Sequence, residues 1–184
     1  MKIAELGVPL AGNGVSGEPF VEHHRAALRD ACAEDREIWS IYSTNFGPDG
    51  FDANIDRISG HPDNRAFVLF EGDALAGMSS FLGIDESRQV LEIGCTYYVP
   101  AMRGTGFNQR VKDMMLARAF ACGVRRVELR VDARNARSQA AVAKIGGVRE
   151  GVLRADRITW TGHVRDTVLF SILADEWRPT AGPR

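Results

Sequence analysis

The chain has 184 residues, 45% hydrophobic and 26% charged, which is the size and composition of one soluble globular domain. Its formal net charge of −1 supplies no overall positive field, which argues against a nucleic acid or an anionic membrane as partner. No segment reaches the roughly 18 consecutive apolar residues of a membrane helix, and the N-terminus lacks a signal-peptide core. We therefore expect a cytoplasmic protein in which residues 1–177 form a single domain and residues 178–184 a C-terminal tail.

Cysteine and histidine indicate neither a disulfide framework nor a metal site. Cys32, Cys95 and Cys122 are far apart and form no CxxC pair, which is typical of a reduced protein. The four histidines show neither HxxxH nor HExxH spacing. The sequence therefore predicts no metal ligands.

The first half of the chain predicts helices followed by an antiparallel meander. Apolar residues recur at helical spacing from residue 27 to residue 41, and Gly72–Asp73 is typical of a hairpin turn. The predicted segments are a strand edge and loop at 7–17, one or two helices within 20–42, a turn at 46–50, a short helix at 51–59, and strands at 66–70, at 74–84 and from 90 onward.

The second half alternates strands and helices, which favours parallel or mixed strand pairing. The helix over 106–122 has a wide apolar stripe, so we expect it to be buried. Asn135 is a good N-cap for the following helix, and Gly146–Gly147 a good stop. The predicted segments are a strand at 91–99, a turn at 103–108, a helix at 106–122, a strand at 126–131, a helix from 135 to 146, and a closing hairpin at 152–159 and 163–173.

The turn Arg103–Gly104–Thr105–Gly106–Phe107–Asn108 predicts an anion site. Two glycines let the backbone approach a ligand closely, and the helix that follows directs its free N–H groups toward that ligand. Arginines cluster between residues 125 and 137, as either a solvated surface or a small positive patch beside the turn. We expect a phosphorylated ligand here.

Three glycine-loop families bind phosphate in this way. A P-loop requires Gly-Lys-Ser/Thr, which the chain lacks, and a dinucleotide fingerprint requires a third glycine where the chain has Gln109. The remaining pattern, Pro100-x-x-Arg103-Gly104-x-Gly106 between a strand and a helix, resembles the coenzyme A pyrophosphate loop of the GNAT acyltransferase superfamily. The chain has Asn108 where the superfamily often has glycine or alanine.

Downstream motifs extend the resemblance to the ribosomal-protein acetyltransferase branch, the RimJ/RimL-like enzymes. The resemblance covers about residues 18–177 and implies an α+β (mixed α/β) GNAT fold. Its central sheet would be mixed, mostly antiparallel, flanked by helices and splayed at the cofactor site. The matching motifs are Asp132–Ala133–Arg134–Asn135–x–x–Ser138, Gly146, Glu150–Gly151–Val152–Leu153–Arg154, Arg165–Asp166–Thr167–Val168 and Phe170–Ser171.

The resemblance implies acetyl-CoA as co-substrate, without a metal. Backbone groups around Tyr98 and Val99 would bond the pantetheine and the thioester carbonyl, and the turn would hold the pyrophosphate beside Arg103. Asn135 would reach the pantetheine arm. Lys144 or a nearby arginine would meet the 3′-phosphate, with a solvated helix surface as the alternative for Lys144. The implied cofactor contacts are Tyr98, Val99, Arg103, Gly104, Thr105, Gly106, Phe107, Asn108, Asn135, Ser138 and Lys144.

Acyl transfer to an amine requires a base for the amine and a proton for the departing thiolate, whose pKa is about 8.5. Ser138 lies where a RimJ/RimL-like enzyme has a serine near the thiol, so it is the implied acid; a serine bonding the backbone is the alternative. Glu92 is the implied base, acting through water, and a salt-bridged strand carboxylate is the alternative. Tyr97 and Tyr98 are further acids, of which alternation turns only one toward the cleft. For Cys95, the role of a small buried strand residue is favoured over that of an acyl-enzyme nucleophile.

We therefore expect an acetyl-CoA-dependent N-acetyltransferase in which a primary amine attacks directly within a ternary complex. The acceptor of the resembled branch is often a protein N-terminal amine, and a small-molecule amine (a polyamine or an antibiotic) is the alternative. A coenzyme A-binding module without catalysis is the rival class. A homodimer is common in the branch. His163, Trp160 and the turn at 161–162 would form one wall of the acceptor pocket.

Overall fold

Eight strands form one sheet in the computed structural model, which describes residues 1–179. The last five residues of the expected tail, 180–184, lie outside the described residues. The strands are β1 (Leu10–Gly12), β2 (Val15–Pro19), β3 (Arg65–Glu71), β4 (Ala74–Asp85), β5 (Val90–Tyr98), β6 (Arg126–Asp132), β7 (Val148–Ile158) and β8 (Val164–Leu173). Their order is β1-β2-β3-β4-β5-β6-β8-β7, and all neighbours are antiparallel except β5 and β6. The expected mixed, mostly antiparallel sheet is confirmed.

The α-helices within residues 1–179 lie close to their predicted positions. They are α1 (Arg25–Ala33), α2 (Phe51–Ser59), α3 (Phe107–Ala121) and α4 (Ala136–Lys144). The helical pattern within 20–42 breaks after α1, because the Asp35 carboxylate accepts a hydrogen bond from the Ile38 N–H at 3.2 Å and starts a separate 3₁₀ segment, Glu37–Ile41. None of the helices in residues 1–179 combines the length and the apolarity needed to cross a membrane.

Two hydrophobic clusters place the helices on opposite faces of the sheet. The larger cluster joins α3 and α4 to the face that carries Leu91 and Ile93. The smaller cluster joins α1 and α2 to the face that carries Tyr97. Because α3 is also covered by the β1–β2 hairpin, it buries side chains nearly all round, as its wide apolar stripe predicts.

The sheet opens between β5 and β6. These strands are paired only from Val90↔Arg126 to Glu92↔Glu128. Beyond that pair both strands continue, but they are no longer paired with each other. Parallel strands have their carboxyl ends at the same edge of a sheet, so the starts of α3 and α4 both border this opening, which we call the gap. The expected splay is therefore present.

A bulge in β5 lies beside the gap. Met78 pairs with Tyr97 but Ser80 with Gly94, so β5 has one more residue than β4 between these pairs. Cys95 within it has a φ of +48°. A bulge re-aims the side chains around it, and here Thr96 faces α3 while Tyr97 faces α1.

Candidate active site

The turn before α3 has the backbone conformation that a phosphate site requires. Gly104 and Gly106 have φ of +81° and +84°, a region that L side chains rarely adopt, and the space beside both is open. Gly106 is the N-cap of α3 and offers no capping side chain. The N–H groups of Gly106 and Asn108 have no partner within residues 1–179. These donors therefore remain available to an anion at the helix start.

Arg103 links this turn to both β5 and the loop after α1. Its Nε donates to the Tyr98 carbonyl at 3.0 Å, and its Nη1 pairs with Asp35. The hydrogen bond from Arg103 holds the pKa of the Asp35 carboxyl below its usual range. Its Nη2 is buried and has no partner among the described residues. Arg103 therefore ties the turn to β5 and to the loop after α1, and its positive charge beside an open glycine turn fits a phosphorylated ligand such as coenzyme A.

Of the two β5 residues expected to meet the pantetheine, the structure offers only Tyr98 to the gap. The Val99 N–H donates to the Ala76 carbonyl at 3.0 Å, and the Val99 carbonyl accepts from the Met102 N–H at 3.0 Å. The expected backbone contact at Val99 is therefore corrected, because both of its groups are already used. Backbone groups alternate in direction along a strand, so those of Tyr98 face the gap. Its carbonyl accepts from Arg103 Nε, which leaves the Tyr98 N–H for a ligand.

Two asparagines organise the helix starts. The Tyr98 hydroxyl donates to Asn108 Oδ1 at 3.0 Å, which ties α3 to β5. Asn135 caps α4 as predicted, since its Oδ1 accepts from the Ser138 N–H at 2.9 Å. The Ser138 hydroxyl makes no hydrogen bond within residues 1–179 and is half-buried. It is therefore free to bond a ligand at the start of α4.

Lys144 lies away from the gap. It is the last residue of α4, and the helix places it about 12 Å from the capped end at 1.5 Å per residue. There it lines a shallow cavity with Trp177 and Pro179. The cation that does belong to the first turn of α4 is Arg137, which is exposed. Of the two alternatives for the 3′-phosphate, Lys144 or a nearby arginine, the position of Arg137 at the start of α4 therefore suits that ligand better than the position of Lys144.

Glu92 stands where β5 and β6 separate. Its side chain is 26% exposed and makes no hydrogen bond within the described residues; the nearest cation, Arg130 Nε, is 3.5 Å away. Arg130 instead gives its Nη2 to Glu128 at 3.0 Å. Burial raises the pKa of the Glu92 carboxyl above its usual value, although Arg130 lowers it. A loosely held carboxylate with a raised pKa suits a general base.

Comparison with known proteins places this geometry in a family. Residues 18–148 match the family model described as an acetyltransferase (GNAT) domain. The chain belongs to the GNAT acetyltransferase family. It is therefore an acetyltransferase that uses acetyl-CoA as co-substrate for N-acetylation.

Solved GNAT structures cover nearly the whole chain. A probable acetyltransferase (GNAT family) from Chromobacterium violaceum is 30% identical, with a TM-score of 0.86 over 93% of this chain and 88% of that one. RimJ of Mycobacterium smegmatis, in complex with CoA-disulfide, is 21% identical, with a TM-score of 0.77 over 95% and 89%. Spermidine N-acetyltransferase of Vibrio cholerae, in complex with CoA and spermine, is 18% identical, with a TM-score of 0.75 over 90% and 98%. The last two share the fold. No curated protein matches the sequence.

Two other candidates of this GNAT site have structural uses. Tyr97 is fully buried, and its hydroxyl donates to the Ala31 carbonyl at 2.8 Å. Burial raises the pKa of the Cys95 thiol to about 12. At neutral pH this thiol is protonated, so it is a poor nucleophile. The structure therefore favours direct transfer over an acyl-enzyme.

Sequence reasoning missed Lys112, a buried lysine on α3. Its side chain is 5% exposed, and its Nζ donates to Thr96 Oγ1 at 2.7 Å. No carboxylate of the described residues lies within ion-pair distance of it. Burial lowers the pKa of Lys112 to about 7. The signal in the sequence was the charged pair Lys112–Asp113 between Val111 and Met114, two residues of the predicted apolar stripe.

One group of side chains has the spacing of a metal site. The candidate ligand atoms of Glu18, His23 and His24 lie within 4.8 Å of one another. However, His24 Nδ1 accepts from the Val21 N–H at 3.2 Å, and its Nε2 is 3.0 Å from Glu18 Oε2. Since both ring nitrogens of His24 are used, this cluster fits a structural role at the start of α1.

The tip of the β7–β8 hairpin contacts the 3₁₀ segment after α1. Trp160 Nε1 donates to the main-chain carbonyl of Trp39 at 2.8 Å, although the Trp160 side chain is 49% exposed. Trp39 belongs to the cluster of α1 and α2. Glu92 faces this same side, since its strand neighbours Leu91 and Ile93 pack on the other. The hairpin and the segment after α1 thus border the cleft on the Glu92 side of the gap.

Proposed function

We propose that this enzyme is a RimJ/RimL-like N-acetyltransferase that acetylates a protein N-terminal amine by direct attack in a ternary complex. The observation that carries the proposal is the gap itself. A glycine turn for phosphates lies at one end of it, and the loosely held Glu92 carboxylate at the other. Residues 1–177 would form this single acetyltransferase domain.

Each residue has a role that its position supports. Glu92 accepts a proton from the bound ammonium through water, and this frees the amine for attack. The Tyr98 N–H, which faces the gap, donates to the oxygen on which charge develops. Ser138 bonds the sulfur from the start of α4. The N–H groups of the glycine turn hold the phosphates beside the positive charge of Arg103.

The charges around Glu92 favour a peptide terminus over a polyamine. Arg130, Arg157 and Arg165 act on Glu92 to lower its pKa against the effect of burial. A polyamine carries several cations and requires unpaired carboxylates, but Glu128 here is bonded by Arg126 and Arg130. Arginine donors instead match the backbone carbonyls of a peptide.

The acceptor is tested by incubating the purified protein with acetyl-CoA and two sets of amines. One set contains short peptides with free N-termini, and the other contains spermidine and aminoglycosides; release of free thiol reports transfer. We expect turnover with peptides and none with the same peptides after N-terminal blocking. Turnover confined to the small amines would show that the acceptor is a small-molecule amine instead of a peptide N-terminus. Coenzyme A binding without turnover, unchanged by Ser138→Ala and Glu92→Ala, would indicate a non-catalytic module.

Trp160→Phe tests the acceptor side of the cleft. The change removes one hydrogen bond to Trp39, worth about 0.5–1.5 kcal/mol, and keeps an aromatic ring. We expect KM for the acceptor to rise by up to about tenfold, since 1.4 kcal/mol is tenfold in an equilibrium. The Kd for coenzyme A, measured by calorimetry, should stay unchanged. An equal loss of affinity for the acceptor and for coenzyme A would contradict the assignment of Trp160 to the acceptor side of the cleft.

A further inference from the structure

Lys112 lies one turn of α3 beyond Asn108, at the height of Thr96 on β5, one of the two strands that border the gap. Asn108 and Lys112 are four residues apart, so they lie on the same helix face about 6 Å apart along the axis. Asn108 contacts Tyr98 of β5, and Lys112 contacts Thr96, two residues earlier on that strand. The line from Asn108 to Lys112 therefore runs from the phosphate turn toward Glu92.

The ammonium of Lys112 is under-bonded in its site. It has three N–H donors, and within residues 1–179 only one is used, by the neutral Thr96 hydroxyl, which is also bonded to Ser79 Oγ at 2.7 Å. A buried cation without a carboxylate opposes folding unless it loses its proton. Burial accordingly lowers the pKa of Lys112 to about 7, while Glu92 and Cys95 of β5 act to raise it. Asp113, its neighbour on α3, is also buried.

We propose that Lys112 is the proton donor to the departing sulfur of coenzyme A. This inference rests on the proposed function, because it needs a thioester in the gap. The acceptor nitrogen forms a bond to the carbonyl carbon, the carbon–sulfur bond breaks, and its electron pair goes to sulfur. Lys112 Nζ then gives that sulfur a proton, while Glu92, on the other face of β5, holds the proton that the amine lost. Solvent returns a proton to Lys112 and removes one from Glu92.

Nuclear magnetic resonance of the wild-type protein tests the placement directly. The chain has three lysines, Lys2, Lys112 and Lys144, so protein labelled with ¹³C at the lysine ε-carbon gives a simple spectrum. The variants Lys2→Met and Lys144→Met assign the signals by elimination. We expect the Lys112 signal to titrate near pH 7. It should shift when coenzyme A is added and shift less with desulfo-coenzyme A, which lacks only the sulfur.

Equal shifts with the two ligands, or no shift with either while calorimetry shows binding, would overturn the placement. The proposed function would be unaffected, because wild-type turnover is measured separately. If wild type neither binds coenzyme A nor releases thiol from acetyl-CoA, the proposed function itself fails.

Kinetics tests the proton transfer. Because the donor must be protonated, wild-type kcat should fall as pH rises through about 7. Lys112→Met keeps the length of the side chain without its charge, and it should lower kcat at pH 7 about 100-fold and abolish the falling limb. The Kd for coenzyme A should change by less than about threefold, and Lys2→Met should behave as wild type.

A Lys112→Met protein that keeps the falling limb, or that loses kcat only in proportion to coenzyme A affinity, would show that the lysine is structural. If this variant does not fold, the wild-type profile still decides the question. A wild-type kcat that rises steadily to pH 9 would rule out Lys112 as the acid.

Discussion

Gly106→Asp is expected to weaken coenzyme A binding by at least about 100-fold, which corresponds to about 2.7 kcal/mol. The aspartate would place a negative charge at the N-cap of α3, where the helix field and the free N–H groups otherwise favour phosphate. Two like charges 4 Å apart repel by about 4 kcal/mol at an effective dielectric constant of 20. Calorimetry with coenzyme A measures the loss.

Two variants separate this charge effect from backbone strain. Gly146 has a φ of +89° with open space beside it, so Gly146→Asp introduces the same residue in the same kind of conformation at the far end of α4. Its affinity for coenzyme A should equal that of wild type. Gly106→Ala adds strain without charge, about 1–2 kcal/mol for a left-handed residue, and should have an intermediate effect. If Gly106→Asp kept the wild-type affinity for coenzyme A, the phosphates would not bind at this turn.

The phosphate turn could be predicted from sequence because its determinants are local. Gly104 and Gly106 are needed for positive φ, and Asn135 caps the helix that it precedes. Each of these effects involves residues only a few positions apart, so it can be recognised from the sequence alone.

The failures of prediction came from contacts between distant segments. Val99 is unavailable because its N–H meets Ala76 of β4, a pairing set by the bulge and by strand register. The weak hold on Glu92 arises because Arg130 of β6 is shared between Glu92 of β5 and Glu128 of its own strand. The site of Lys112 could not be predicted for the same reason, since Thr96, its hydrogen-bond partner, becomes a neighbour only through the fold.

Glu92→Gln should lower kcat by about 100-fold or more while leaving the Kd for coenzyme A unchanged, because it removes the base and keeps the shape of the side chain.

The same change should stabilise the protein at neutral pH. In the folded state burial raises the pKa of Glu92 above the value of about 4.3 expected in the unfolded chain. The contribution of Glu92 to stability is therefore fully present below about pH 4.3 and is lost as the pH rises through the folded-state pKa.

Urea denaturation at pH 5 and pH 8 checks the sign. Relative to wild type, Glu92→Gln should gain free energy of unfolding at pH 8, and the gain should be smaller at pH 5. Glu128→Gln is the matched contrast on the neighbouring strand. Its carboxylate accepts from Arg126 at 3.2 Å and from Arg130 at 3.0 Å, so the neutral amide should destabilise the protein at pH 8. A loss of stability in both variants would mean that Arg130 stabilises Glu92 as firmly as Glu128, and Glu92 would then be a structural ion pair rather than a base held ready for a proton.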